Sequence, residues 1–184
     1  MAGAIVLLVA LDQWAKHLAR IHLAPLGPFQ PTRSIVLIEG FFGLNYTKNS
    51  GMAFGLLEGW RWFFVVFTVI VLGVIVYYES KLPHTNRFLW IRIPMAMIVA
   101  GTVGNFIDRL MDGYVVDMFQ FLFINFPIFN VADILLTTGT FIFAFVILFI
   151  IKEPFEMFEK KAAVTDGSFD GLEESDSADE SDIE

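Results

Sequence analysis

The chain has 184 residues, of which 56% are hydrophobic and 21 are phenylalanine. This composition excludes a wholly disordered chain and is too apolar for an ordinary soluble domain. The formal net charge of −8 belongs to one end: residues 1–161 hold 12 basic and 11 acidic residues, whereas the last 23 hold nine acidic residues. A nearly neutral body excludes nucleic acid as a leading partner. We predict one domain over 1–161 and a disordered acidic tail over 162–184.

Four apolar segments approach the roughly 20 residues that a helix needs to cross a bilayer. The second, third and fourth are uncharged runs bounded by charged residues, and the first becomes polar from Asp12 onward. No basic residue precedes the first apolar run, so a cleaved signal peptide is not favoured. We predict four transmembrane helices, at about 3–22, 61–78, 88–107 and 131–151.

Four spans place both termini on one side of the membrane. The connector 79–92 and the flank after the fourth span each hold three basic residues, and the positive-inside rule assigns them to the cytoplasm. Five basic residues on the other side weaken this bias. We predict that both termini are cytoplasmic.

Two of the segments that connect the predicted spans are expected to form ordered structure outside the four helices. Ser34–Ile38 and Phe41–Thr47 are β-prone runs on either side of Glu39-Gly40, which predicts a hairpin. The segment 110–126 is apolar but too short to span a bilayer, so we predict that it lies in the membrane interface as a helix or loop. The expected fold is a mainly α membrane protein.

Four aspartates lie at predicted helix ends on the outer side: Asp12, Asp108, Asp117 and Asp133. A charge near the bilayer centre costs at least about 2.5–3.5 kcal/mol, which makes each of them a candidate functional residue. Because the chain alternates in direction, the end of span 1, the end of span 3 and the start of span 4 meet. We therefore predict that these aspartates converge.

Structural interpretations compete with chemical ones at three of these positions. Asp12 and Lys16 are four residues apart on one helix face, which favours an ion pair. Asp108-Arg109 can tie helix ends together, and Asp133 can be an acid at a helix N-terminus.

Asp117 has no basic residue in sequence closer than Arg109, and an unpaired buried carboxylate is costly. Sharing a proton with a second carboxylate would relieve that cost and would suit activation of water. Asp133 follows Asp117 by 16 positions, a spacing that permits such a pair but does not show it.

Other chemistries have little support in the sequence. The absence of cysteine excludes disulfides and a thiolate nucleophile, and the three histidines are scattered. We predict no metal and no cofactor. A proton-coupled transporter or channel, and a structural subunit with paired acids, remain alternatives to water activation by two acids on composition and spans alone.

Five motifs occur in a fixed order along the four spans. The ordered set covers about residues 5–152 and resembles the bacterial lipoprotein signal peptidases (signal peptidase II). The motifs are Asp12-Gln13-x-x-Lys16, Asn49-Ser50-Gly51-Met52-Ala53-Phe54-Gly55, Gly104-Asn105-x-x-Asp108-Arg109, Val115-Val116-Asp117 and Phe129-Asn130-Val131-Ala132-Asp133.

The resemblance implies a membrane-embedded aspartic endopeptidase without a cofactor. Such an enzyme removes the signal peptide of a prolipoprotein just before a diacylglyceryl-modified cysteine, at the outer face of the bacterial cytoplasmic (inner) membrane. Asp117 and Asp133 would be its catalytic pair. The residues implied to line or brace the site are Asn49, Gly51, Asn105, Asp108, Arg109, Asn130 and Ala132, with Asp12 and Lys16 as a supporting pair.

The resemblance also implies the remaining structural features and partners. The family fold adds to the four helices a small extracytoplasmic β-sheet cradle and an interfacial helix between spans 3 and 4. The expected partners are a lipid-modified prolipoprotein and membrane lipid. The chain is expected to act as a monomer and to be inhibited by the cyclic peptide globomycin.

Overall fold

The computed structural model describes residues 1–27, 30–51, 56–82 and 89–150. The predicted acidic tail, residues 52–55 of the second motif, and the basic residues beyond span 4 lie outside the described residues. Within the described part of the chain, four helices are long and apolar enough to cross a membrane. They are α1 (Ala2–His22), α2 (Arg61–Lys81), α3 (Leu89–Met111) and α4 (Val131–Phe145), the last continuing as a π-helix over Val146–Ile150. The mainly helical membrane fold is confirmed.

Three antiparallel strands form a small sheet in the order β1 (Ile35–Ile38), β2 (Phe42–Asn49) and β3 (Val115–Phe121). The predicted hairpin is confirmed, and its turn places Gly40 at a φ of +66°, a conformation that glycine adopts without strain. The interfacial helix or loop predicted over 110–126 is corrected at Val115–Phe121, which form the strand β3. The chain is extended there because its backbone pairs with β2.

The sheet lies at one end of the helix bundle because α1 and β3 share an apolar core. Ala19 and Leu23, at the end of α1, pack against Tyr46 of β2 and against Val116 and Met118 of β3. A second core at the opposite end of the bundle is formed by Leu82, Ile91, Met95 and Val146. The end of α1, the end of α3, the start of α4 and the sheet are therefore neighbours.

Helix α3 is the centre of the bundle and packs against each of the other three helices. Its contact with α4 is close because both helices present glycine to the other. A Cβ added at Gly101 would overlap the carbonyl oxygen of Ala132, and one added at Gly139 would lie 2.9 Å from the carbonyl oxygen of Pro94. Small residues at such crossings let backbones approach without a side chain between them.

We expect Gly101→Ala to lower the free energy of unfolding by about 1–3 kcal/mol, the usual range for overpacking. The clash is with backbone atoms of α4, which cannot turn aside as a flexible side chain can. Denaturation of the purified protein in detergent micelles measures the change. Gly73→Ala in α2 is the matched control, because its Cβ would meet nothing within 4 Å. Equal stability of the two variants would contradict the packing argument.

Candidate active site

A buried lysine joins α1 to α3. The Lys16 Nζ lies 2.9 Å from Oδ2 of Asp12, 2.9 Å from Oδ2 of Asp108 and 3.0 Å from Oδ1 of Asn105. An ammonium group has three N–H donors, and each finds one acceptor. Lys16 and Asp12 are wholly buried, and Asp108 is 1% exposed. The ion pair predicted for Asp12 and Lys16 is present and is part of a larger network.

The two carboxylates that bind Lys16 also hold backbone. The Oδ1 of Asp12 accepts a hydrogen bond of 2.8 Å from the backbone N–H of Ala132, in the first turn of α4. The Oδ2 of Asp108 accepts one of 3.3 Å from the backbone N–H of Val116 in β3. The candidate catalytic aspartates lie on α4 and β3. Helix α4 is connected to Lys16 through Asp12, and β3 is connected to Lys16 through Asp108.

The start of α4 fixes the orientation of Asp133. Asn130 is the N-cap, and its Oδ1 accepts from the backbone N–H of Asp133 at 2.9 Å. The Oδ2 of Asp133 accepts in return from the backbone N–H of Asn130 at 3.2 Å, which completes a capping box. The interpretation of Asp133 as an acid at a helix N-terminus is confirmed. The Oδ1 of Asp133 is not used by the cap and accepts a hydrogen bond from a side chain of α3.

Asp117 lies on β3 and faces away from the core beneath the sheet. Its neighbours Val116 and Met118 pack toward α1, and alternation along a strand turns Asp117 to the other face. There its Oδ1 accepts from Nδ2 of Asn130 at 2.6 Å and its Oδ2 accepts from Nδ2 of Asn49 at 3.0 Å. The side chain is 2% exposed.

Asn130 connects the two candidate catalytic carboxylates. It donates to Asp117 through its side chain and to Asp133 through its backbone. The Oδ1 of Asp133 accepts a further hydrogen bond of 2.8 Å from Nδ2 of Asn105. All four carboxylate oxygens therefore accept from an N–H group, and every one of these donors is a neutral amide.

The two acids influence each other. Burial raises the pKa of the Asp117 carboxyl to about 7, and the negative charge of Asp133 acts in the same direction. The amide hydrogen bonds from Asn49 and Asn130 oppose this rise because they stabilise the charged form. A carboxyl with such a pKa can exchange its proton near neutral pH, the range that suits a general acid or base.

Arg109 and Gly51 close the site on the side of α2. Arg109 donates from Nη2 to the carbonyl oxygen of Gly51 at 3.0 Å, and its guanidinium lies 4.8 Å from the ring centroid of Phe64. Its positive charge acts on both Asp133 and Asp117. The N–H of Gly51 donates to the side chain of Asn49 at 3.0 Å. All the site residues named from the sequence thus lie in one connected cluster.

Two further residues belong to this cluster but were not assigned to the site from the sequence. The Nε2 of Gln13 donates to Oδ1 of Asp108 and to the carbonyl oxygen of Gly104, both at 3.1 Å. Arg20 lies 3.5 Å from Asp108 and 2.7 Å from Asp112. Arg20 follows Lys16 by four residues, so helical spacing was a signal that could have identified it.

The arrangement suits proton transfer between two carboxylates. Among the described residues, no group of three His, Asp or Glu side chains could hold a metal ion. The amide donors and the buried Lys16 instead hold two acids in a fixed geometry. Such a pair can take a proton from water with one member and give a proton with the other.

Comparison with known proteins connects this geometry to a family. The family model described as signal peptidase (SPase) II matches residues 4–149. The lipoprotein signal peptidases of Streptococcus pyogenes serotypes M5 (strain Manfredo), M18 (strain MGAS8232) and M1 are each 45% identical over 135 residues, which cover 73% of this chain and 84% of each relative.

Two solved structures share the fold. Both are described as a bacterial membrane enzyme studied by the in meso method, one at 2.3 Å and one at 1.9 Å resolution. Each is 32% identical, with TM-scores of 0.70 and 0.67. The matches cover 79% of this chain and 85% and 90% of the solved chains. The chain therefore belongs to the signal peptidase II family, whose members are lipoprotein-processing proteases of the membrane.

Proposed function

We propose that this enzyme cleaves prolipoproteins just before the diacylglyceryl-modified cysteine, with Asp117 and Asp133 as its catalytic pair. The observation that carries the proposal is the shared partner of the two acids, since Asn130 donates to Asp117 at 2.6 Å and to Asp133 at 3.2 Å. The two carboxylates come from different elements, β3 and α4.

The charge around the pair supports a shared proton. Four carboxylates (Asp12, Asp108, Asp117 and Asp133) lie in contact with, or act electrostatically on, Lys16 and Arg109, while Arg20 divides its charge between Asp108 and the partly exposed Asp112. The fully ionised set carries negative charge in excess, which is costly in a buried site. One proton on the pair reduces that excess.

That single proton leads to a mechanism without a covalent intermediate. The ionised carboxylate takes a proton from a water molecule, which attacks the scissile carbonyl carbon. The protonated carboxyl donates a hydrogen bond to the carbonyl oxygen and stabilises the charge that develops there. As the C–N bond breaks, the proton that was taken from water passes to the leaving amine, and the pair returns to its singly protonated state.

The remaining site residues position the pair rather than react. Asn49, Asn105 and Asn130 fix the carboxylate orientations through neutral donors. Lys16 binds Oδ1 of Asn105 at 3.0 Å and so turns Nδ2 of this amide toward Asp133. We assign Asp12, Asp108, Arg109, Gly51 and Ala132 to bracing the elements that carry these side chains.

The position of the pair suits a lipid-anchored substrate. It lies where α1 and α3 end and α4 begins, so a substrate whose modified cysteine is held in the bilayer can reach it while water enters from outside. We propose that this is the outer face of the cytoplasmic membrane, with both termini in the cytoplasm. Because one chain supplies both acids, we propose that residues 1–161 act as a monomer and that 162–184 are a separate tail.

We expect Asp117→Asn and Asp133→Asn each to reduce cleavage at least about 100-fold, the lower range for loss of a general acid or base. The assay uses purified enzyme and a lipidated prolipoprotein substrate, with product identified by mass. Asp112→Asn is the matched control. It removes a carboxylate five residues from Asp117 that is 37% exposed and pairs with Arg20, and it should change the rate less than about twofold. Intact cleavage in either catalytic variant would refute the mechanism.

The rate of prolipoprotein cleavage should also fall at alkaline pH. The raised pKa of Asp117, about 7, means that the pair keeps its proton below that pH and loses it above. With both acids charged, no group can polarise the carbonyl, so kcat/KM should fall about tenfold per pH unit above that value. The profile is measured from pH 6 to 9 on the wild-type enzyme and on Asp112→Asn, which should match it. A flat profile from pH 7 to 9 would contradict the shared proton.

We expect Lys16→Met to lower the free energy of unfolding by about 3–5 kcal/mol, because it leaves Asp12 and Asp108 buried without their common cation. Denaturation in detergent micelles at pH 7 measures the loss. Lys48→Met is the control, since that lysine is exposed on β2 and lies over the ring of Tyr114. If both variants are equally stable, the Lys16 network does not hold the helices together.

A further inference from the structure

The sheet has an apolar edge that the catalytic proposal does not use. We define the apolar edge as Ile35–Ile38 of β1 together with Phe41 and Phe123. Each of these six side chains is between 45% and 60% exposed. Strand β1 is a terminal strand of the sheet, paired on one side with β2.

This surface is unsuited to water. A strand that faces water on one side alternates apolar and polar residues, but β1 carries four apolar residues in succession and both of its faces are exposed. Edge strands in water are usually protected by charge, proline or a covering element. None of these is present within Ile35–Ile38, and the strand is not covered by the described residues.

The apolar edge is continuous with the part of the molecule that faces lipid. Residue Arg33, two positions before β1, donates its backbone N–H to the carbonyl oxygen of Leu23 at the end of α1, at 3.0 Å. The outer surface of α1 leads to this point with Trp14 at 60% and Ile21 at 53% exposure. The strand therefore starts at the level where a membrane-spanning helix ends.

Two contacts hold the tip of the edge together. The rings of Phe41 and Phe123 stack with centroids 4.9 Å apart and planes 2° from parallel. The backbone N–H of Leu122 donates to the carbonyl oxygen of Phe41 at 2.9 Å, which joins the hairpin turn to the segment that follows β3. Glu39 is the charged residue of this turn, and its exposed carboxylate limits how deep the tip can lie in hydrocarbon.

We propose that the apolar edge is immersed in the bilayer leaflet next to the active site, at the boundary between headgroups and acyl chains. The sheet then lies along the membrane surface rather than projecting into water. Strand β3, which carries Asp117, is joined to the apolar edge through its pairing with β2 and through the stacking of Phe123 on Phe41, so the immersed edge positions β3 relative to the lipid. This inference concerns lipid and does not depend on the roles of the aspartates.

The chain has no cysteine, so single cysteines can be introduced and spin-labelled without first removing a native cysteine. Full-length Leu37→Cys and Phe123→Cys, in lipid nanodiscs without substrate, report on the edge. Oxygen, which partitions into lipid, and a water-soluble nickel chelate serve as relaxation agents. Val69→Cys on the exposed surface of α2 is the reference for lipid, and Glu58→Cys on the exposed connector before α2 is the reference for water.

Both edge labels should favour oxygen over the nickel chelate, with ratios between the two references. Labels that match the Glu58 position would overturn the proposal. A shift toward lipid-like values that occurs only after prolipoprotein is added would also overturn it, because the edge would then be a substrate surface. So would spin–spin broadening that grows with the number of chains per nanodisc, which would indicate a second copy. Ile38→Cys gives the same readout if one of the first variants fails to fold.

Discussion

One buried cation fixes the arrangement of the elements around the candidate active site. Lys16 is wholly enclosed, and its three N–H groups reach carboxylates of α1 and α3 and the amide of Asn105. Through Asp12 it is connected to the first turn of α4, and through Asp108 to the start of β3. A buried ion pair adds little stability compared with apolar packing, but it fixes geometry, because any arrangement that separates its partners leaves an uncompensated charge. The elements that carry both candidate catalytic aspartates therefore share one point of reference.

The asparagines connect this network to the proposed catalytic pair without adding charge. A lysine or arginine bound directly to Asp117 would stabilise its ionised form and lower its pKa, and the pair would lose its proton at neutral pH. Amides of Asn49 and Asn130 orient the carboxylate with a weaker effect of the same sign, so burial and the charge of Asp133 prevail and the pKa is about 7. The proposed proton exchange therefore requires that no lysine or arginine binds the two acids directly.

The sequence predicted the spans well because uncharged runs bounded by charges have few structural alternatives in lipid. Convergence of the aspartates followed from the alternating chain direction. Strand β3 was not predicted, because an apolar segment can be a helix, loop or strand, and its partner β2 is remote in the chain. Gln13 was overlooked as a site residue for the same reason, since its partner Gly104 is 91 residues away. Contacts of this range depend on how helices pack, which spacing along one segment does not encode.

The separation of the two aspartates depends on two independent packings. The position of Asp117 follows from the core between α1 and the sheet, where Val116 and Met118 are buried. The position of Asp133 follows from the glycine contact between α3 and α4, where Gly101 lies against Ala132. The position of Asn130 depends on both packings, because its side chain binds Asp117 and its backbone begins α4. A displacement in either packing moves one acid relative to the other, so apolar contacts, together with the Lys16 network, set the geometry on which the proposed chemistry depends.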